Sequence, residues 1–488
     1  MKRCIVIGGG ITGMSAAVLL ARQGLSVTLV EKHPRLAPLL RGFRRQGVHF
    51  ETGFHFAGGL ERGGLLRAWL KAMGLDLPYE SQLPETETVI LDGRRFTLPC
   101  GREAILSWTA EHFPASVSGM TLFLDELAAK LEESPFTSPR QQERKSLFSL
   151  ERPETVAEHL DTLPLDKELK AVLKARCLLY GAQPSEALWT DFALVAGTYF
   201  SSSSTLEGGG EAFLLAWEKA LNHSKVRLLC GKAASRILLS EESGRKTVCA
   251  VELENGERLD ADAVLFTGSP AQLRGLLPAD ACRPAWFRHI ETMPETPPPF
   301  VVYGIADASI PALSCWYKAP DDRPFRPAGA EDASLCVMTG PELADGRKSC
   351  LAIGLHEGGV GLELEGRQKE DEAAYREEKA RLCTSLAEEA ERLLPELAGH
   401  WQIADASTGR TMRSWVYGST GSIYGYLHAR NTLPLPPVTK VPGLFLAGQN
   451  ILLPGMLGCI ISAAIAAEFL LGNNAIVNRF RECAKEEL

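Results

Sequence analysis

The twelve cysteines contain no C-x-x-C pair, and their scattered spacing lacks the pattern of a disulfide framework or a zinc site. Reduced thiols inside a cell are therefore expected. No long basic block is present and the formal net charge is −8, which argues against a nucleic-acid partner. No run is long and apolar enough to span a bilayer; the best stretch, Cys459 to Leu471, is short and carries Glu468. Met1-Lys2-Arg3 leads straight into an apolar segment, so nothing there reads as a signal peptide. The expected location is cytoplasmic, with membrane contact peripheral at most. His356-Glu357 lacks a second histidine at ligand spacing, so no metal site is expected. There is no internal repeat, and low complexity is confined to Ser201–Ser204 and Pro297–Pro299.

What is present begins with Gly8-Gly9-Gly10-Ile11-Thr12-Gly13, set between the apolar run Cys4–Ile7 and a helical stretch from Thr12 to Gln23. Gly24 stops that helix, and Ser26–Val30 reads as a second strand ending in Glu31. This is a complete strand–turn–helix–strand unit for binding a dinucleotide. Glycines let the backbone turn and approach a pyrophosphate, the helix start offers free N–H groups, and the terminal carboxylate accepts ribose hydroxyls.

At 488 residues, 45% of them apolar and 23% charged, the chain has the balance of a globular protein and the length of two domains. Strands are expected at Val226–Leu229, Arg236–Leu239, Thr247–Leu253, Asp262–Phe266, Phe300–Ile305, Cys350–Leu355 and Gly443–Gly448. Arg367–Leu394 reads as a helix with Leu382, Leu386, Ala390 and Leu393 as its buried stripe, and the charged run Glu365–Glu391 as its solvated face. Gly208-Gly209-Gly210 is not read as a second dinucleotide loop, because the Ser-rich run before it is no strand. Near the C-terminus, Ala447-Gly448 and the loop Pro454–Gly458 precede a helix of small apolar residues. A helix start there, carrying about half a positive charge, suits the pyrimidine edge of a flavin.

The N-terminal unit, the stretch Phe43–His55 with its Phe50-Glu51-Thr52-Gly53-Phe54-His55, and the tail Val441–Gln449 resemble the phytoene desaturase family. The likeness is greatest to its carotenoid isomerase and retinol saturase branch, which Thr408–Thr411, Gly421–Gly425 and Tyr199–Gly210 also resemble. These stretches occur in the family's order over nearly the whole length. The resemblance implies an α/β flavoprotein of glutathione-reductase-like type, in which a Rossmann-type FAD-binding domain (1–75, 205–285 and 400–488) interleaves with an α+β substrate domain (76–204 and 286–399). It implies FAD as cofactor, with Gly8, Gly10 and Gly13 at the pyrophosphate, Glu31 and the adjoining Lys32 at the adenosine ribose, and Ala233 on the adenine side. Gly448, Gly455, Met456 and Leu457 would line the flavin end. One departure stands out. Leu36-Ala37-Pro38-Leu39 replaces the family's Gly-Gly pair, and alanine and proline restrict a backbone that glycines would leave free to pass the cofactor.

In flavin chemistry at C–C bonds the cofactor carries the hydride, and the protein supplies orientation, dryness and at most one acid or base. His55 is the first catalytic candidate, since imidazole titrates near working pH. Glu51 and Tyr199 follow, Tyr424 is a candidate tunnel residue, and Arg410 and Arg413 are candidate anchors or surface ion pairs. The expected function is FAD-dependent desaturation, saturation or isomerisation of double bonds in a long apolar isoprenoid polyene, with the branch likeness favouring reduced-flavin chemistry. The electron partner is open. Two rivals stand beside it: an amine-oxidising flavoenzyme, and a flavin-binding protein without turnover.

Overall fold

A computed structural model describes residues 1–75, 77, 80–82, 87–141, 154–242, 244–318, 328, 334–355, 369–416 and 420–487. In chain order the strands of three sheets are β1 (Arg3–Ile7), β2 (Ser26–Glu31), β3 (Glu87–Leu91), β4 (Arg94–Leu98), β5 (Arg227–Cys230), β6 (Ala234–Glu242), β7 (Arg245–Leu253), β8 (Arg258–Asp260), β9 (Ala263–Phe266), β10 (Pro299–Ala306), β11 (Cys315–Lys318), β12 (Leu335–Thr339), β13 (Lys348–Leu355), β14 (Trp401–Ser407) and β15 (Leu444–Leu446). The helices that bear on the site are α1 (Ile11–Arg22), α2 (Pro38–Arg41), α3 (Trp189–Ser201), α4 (Gly209–His223), α5 (Lys369–Leu393), α6 (Gly409–Val416) and α7 (Gly455–Leu471).

The first sheet runs β15-β9-β1-β2-β5, and every pairing in it is parallel. Its strands are continuously apolar because both faces are covered. Cys4, Val6 and Leu29 join the core beneath α1, α4 and α7, while Ile5, Ile7 and Val30 join a second core formed with β6, β7 and the Pro284–Glu291 helix. Stretches far apart in the chain (β1 with β2, β5 with β9, and β15) therefore meet in one sheet, β1 lying at its centre between β9 and β2. The antiparallel β6-β7-β8 sheet adjoins it.

The third sheet runs β14-β10-β13-β12-β11-β3-β4, antiparallel except where β11 pairs with β3. Its outer face packs on α5 through Leu382, Leu386 and Ala390. That face matches the stripe expected from the sequence.

Most expected elements occur with shifts of one to three residues, and α7 starts earlier than expected, at Gly455. The Ser-rich run is corrected in part: it ends in a three-residue strand, Ser204–Leu206. That strand pairs antiparallel with Glu80–Gln82, outside the parallel sheet. The glycines after it serve packing. A Cβ on Gly209 would stand 2.1 Å from Glu51 Oε1, and one on Gly210 would stand 2.0 Å from the Leu40 carbonyl oxygen. His356, Glu357 and the start of the charged run lie outside the described residues.

Candidate functional site

One cavity of about 790 Å³ runs from the first glycine loop, past the start of α7, to the inner face of the seven-stranded sheet. Its first arm is built by β1, the loop and α1. Gly8 has φ +109°, and a Cβ there would lie 2.4 Å from Thr267 Oγ1. A Cβ on Gly13 would lie 1.8 Å from the Gly8 carbonyl oxygen, so this glycine holds helix against loop without facing the cavity. Nothing lies within 4 Å of a Cβ built on Gly10, which opens into the cavity. No side chain caps α1, leaving its first N–H groups and its positive end turned towards that space.

Glu31 ends β2 and is buried at the cavity wall. Its Oε2 accepts from the Gly9 N–H at 2.5 Å and its Oε1 from the His33 N–H at 2.7 Å. Each oxygen keeps a lone pair for a further donor. Lys32, Ala233 and Ser235 line the same end. A cradle that side chains would fill, with an open helix start and an acidic strand end, fits the pyrophosphate and ribose of a dinucleotide.

At the Leu36–Leu39 departure the backbone turns as glycine would allow. Ala37 takes the left-handed conformation (φ 45°, ψ 67°), and its N–H donates to the Gly9 carbonyl at 2.9 Å. Pro38 then occupies the first turn of α2, where its fixed φ is compatible and its missing N–H has no consequence. The restricted residues thus reach the path by strain in one of them.

At the other end, Gly455 (φ +80°) and Met456 begin α7 and line the cavity, and no side chain caps this helix either. Leu457 packs into the core beside α1. Gly448 (φ +119°) is fixed by its N–H on Ser462 Oγ at 2.8 Å, and a Cβ there would meet Thr12 Oγ1 at 3.5 Å. Both ends of the chain thus flank a single cavity.

The second arm is apolar. Alternate residues of β10, β13 and β12 point inward: Val301 stands opposite Ile353, and Tyr303 opposite Leu351, which stands opposite Met338. All five line the cavity, with Val195 and Tyr199 of α3, Phe56 and Tyr424 facing them. Tyr199 packs edge-on against Phe56, its hydroxyl 3.5 Å from the Phe56 carbonyl oxygen. Burial pushes the phenols of Tyr199 and Tyr424 well above their ordinary range, and that of Tyr303 to about 12.

His55 lines the cavity where the arms meet. Burial lowers its pKa, against a weaker opposing pull from Glu51, so the imidazole is neutral at pH 7. Glu51 lies outside the lining. Its Oε1 accepts from the Gly210 N–H at 3.0 Å and sits 3.3 Å from His49 Nε2, tying the strand before His55 to α4. Arg410 pairs with Glu372 at 2.8 Å and lies over the Tyr375 ring at 4.7 Å, so it binds α6 to α5. The sequence reading missed the whole sheet floor, as well as Asp191. Burial raises the Asp191 carboxyl to about 7, and its Oδ1 accepts a long hydrogen bond from the Thr190 hydroxyl at 3.4 Å. At the mouth, half-exposed Trp415 stacks on His33, with ring centres 4.9 Å apart.

Among the described residues, no group of three or more His, Cys, Asp or Glu is placed to hold a metal ion, and no helix is long and apolar enough to cross a membrane. The parallel sheet, its glycine cradle and the second helix start at the far end define a Rossmann-type flavoprotein. The chain belongs to the flavin containing amine oxidoreductase family, which it matches over residues 11–471. It is an FAD-dependent oxidoreductase.

Among its relatives is the all-trans-retinol 13,14-reductase of Macaca fascicularis, 22% identical over 535 aligned residues, covering 96% of this chain and 85% of that protein. The phytoene desaturase of Cercospora nicotianae is 28% identical over 281 residues, covering 54% of this chain and 44% of that one. The cyclohexylamine oxidase of Brevibacterium oxydans IH-35A shares the fold, with a TM-score of 0.57 at 18% identity over 96% of this chain and 99% of that one.

Proposed function

We propose that this flavoenzyme acts on carbon–carbon double bonds of an extended apolar polyene, saturating, desaturating or isomerising them. The observation that carries the reading is the second arm. Val301, Leu351, Ile353, Met338 and Val195 give it aliphatic walls, and Phe56 gives it an aromatic one. Such a surface binds a hydrocarbon chain by excluding water from it. The relatives named for retinol and phytoene support the same substrate class.

The cofactor residues act as their positions suggest. Gly8, Gly10 and the start of α1 hold the pyrophosphate, with Gly13 keeping helix and loop in contact. Glu31 takes the ribose, with Lys32 and Ala233 beside it. Gly455, Met456 and the positive end of α7 meet the flavin, while Gly448 and Leu457 fix that helix in place. Bound FAD accepts or delivers hydride; the chain binds, orients and dries the reacting pair. Neutral His55 holds or passes a proton at the meeting of the arms, Glu51 positions the strand that carries it, and Tyr199 packs against the chain. The reading takes two lobes, cofactor lobe 1–75, 205–285 and 400–488, substrate lobe 76–204 and 286–399, with β14 of the cofactor lobe's last segment completing the large mixed sheet under the substrate arm. A cytoplasmic enzyme meeting its apolar substrate at a membrane surface suits this reading, with exposed Trp415 at the mouth.

The presence of Tyr199 and Tyr424 in one cavity favours amine oxidation as a second reading, since paired aromatic faces hold an ammonium group. Both readings meet one experiment. The FAD-loaded protein is mixed anaerobically with polyenes or with primary amines while the flavin spectrum is followed. With the flavin oxidised or prereduced, polyenes are expected to change its redox state or to be converted. Bleaching by amines alone would replace the first reading by the second. An inert flavin would leave a binding protein.

A further inference from the structure

The apolar arm tapers. Its floor is lined by Pro299, Val301 and Tyr303 on β10, by Leu351 and Ile353 on β13, and by Met338 alone on β12. Register makes the narrowing regular. Tyr303, Leu351 and Met338 form one row across the strands, and Val301 and Ile353 lie in the next. The wide end adjoins β10, where Tyr303 meets Phe50 edge-on with ring centres 5.7 Å apart. Phe50 ends the Val48–Phe50 strand, which leads to His55 at the meeting of the arms.

The narrow end is closed by packing. In the first row the residue opposite Met338 on β11 is Cys315, and in the second the residue opposite Ile353 on β12 is Cys336. Both are buried, with their sulfurs 3.5 Å apart. On β3, opposite Cys315, Glu87 is buried in an ion pair with Arg176. Tyr424 fills the remaining corner. A Cβ built on Gly181 would lie 3.2 Å from the Tyr424 ring and 3.7 Å from Leu355, the residue opposite Pro299, so ring and leucine close that row together. Burial, and then the neighbouring Cys336 and Tyr199, push the Tyr424 phenol up, which sets the same ring beside the end of the second row.

Strand spacing gives the depth. From β10 through β13 to β12 the floor crosses about 10 Å. An extended carbon chain advances about 1.2 Å per bond, as a fully extended polypeptide does, so the floor is about eight bonds deep. A hydrocarbon tail gains affinity with each carbon that leaves water, and gains no more once it meets the wall.

We infer that Met338 and Tyr424 form the end wall of the substrate arm and set how much chain enters it, about eight carbons beyond the flavin. A chain that goes in end-first therefore stops with a bond at a fixed count from its terminus against the flavin, and these two side chains select which bond reacts. This assignment rests on the apolar reading of the arm and adds the depth of insertion to it.

The test uses straight-chain primary alcohols from butanol to dodecanol, bound to the anaerobic FAD-loaded protein and read from the perturbed flavin spectrum. Dissociation constants are expected to fall about fourfold per carbon while the tail enters the arm, and to level off at about eight carbons. Met338→Ala removes Cγ, Sδ and Cε at the tip and should move the levelling point out by about three carbons, and the milder Met338→Val by about one. Tyr424→Ala should move it outward as well, whereas Tyr424→Phe keeps the ring and should leave it in place. Val195→Ala cuts a side wall, and should weaken the longer alcohols without moving the point. An affinity that keeps rising to dodecanol in the wild type would overturn the end wall while leaving the apolar reading standing. So would a levelling point that stays put in either alanine variant. If no alcohol of any length perturbs the flavin, the apolar reading itself falls and takes the wall with it.

Discussion

Asp191→Asn gives the sharpest quantitative test of the burial described here. The carboxyl ionises near 4 in an unfolded chain and at about 7 in the folded one, because burial disfavours its charged form. Below pH 4 both states hold the proton, and the wild-type protein carries no penalty. Between pH 4 and 7 the unfolded chain releases its proton while the folded chain keeps it. Stability therefore falls by about 1.4 kcal/mol per pH unit, to a ceiling of about 4 kcal/mol above pH 7. Asp191 keeps some accessible surface, and relaxation around it brings the expected loss nearer 2 kcal/mol. Asparagine has the same shape and no charge, so its curve lacks this component. Thermal midpoints of the FAD-loaded proteins should lie within about 1 °C of each other at pH 4.5, and the variant should lead by about 4 °C at pH 8, taking about 2 °C per kcal/mol. Comparing the two proteins at each pH cancels the other carboxylates. A lead of equal size at both pH values, or a variant that melts lower at pH 8, would refute the argument.

Two further outcomes follow from the glycine loop and its neighbour. Gly13→Ala drives a methyl to within 1.8 Å of the Gly8 carbonyl oxygen, and should lower stability by about 3 kcal/mol and abolish FAD retention on gel filtration. Ala37→Gly relieves a left-handed alanine worth about 1 to 2 kcal/mol and frees the unfolded chain by about 0.5 to 1 kcal/mol, so a net gain of about 0.5 to 1 kcal/mol is expected in denaturant unfolding, and a loss would show that the strain is not there.

The cofactor end was legible because its signals are local. Gly8 to Glu31 make one continuous unit, and each residue's task is set by neighbours within a few turns. The substrate arm was not. Val301, Ile353 and Met338 are ordinary strand residues, and only register across β10, β13 and β12 puts them on one floor. Glu87 and Arg176 are 89 positions apart, and no sequence pattern announces their pairing. The Ala37-Pro38 departure was visible, but its resolution was not. Propensity counts against alanine at positive φ, and the Gly9 contact with the turn outweighs it. Glu51 was singled out for its motif, but its place in the space that Gly209 and Gly210 leave beside it was not legible there.

The placement of β15 beside β9, itself beside β1, has a consequence for biosynthesis. A ribosome makes the nucleotide-gripping loop long before the strand at Leu444–Leu446 that completes this side of the sheet, and α7 comes later still. Until then the newborn chain carries an unfinished parallel edge and an uncovered apolar face on α1. Coenzyme loading must wait for these last segments to join, and the interval is when a chaperone has most to shield.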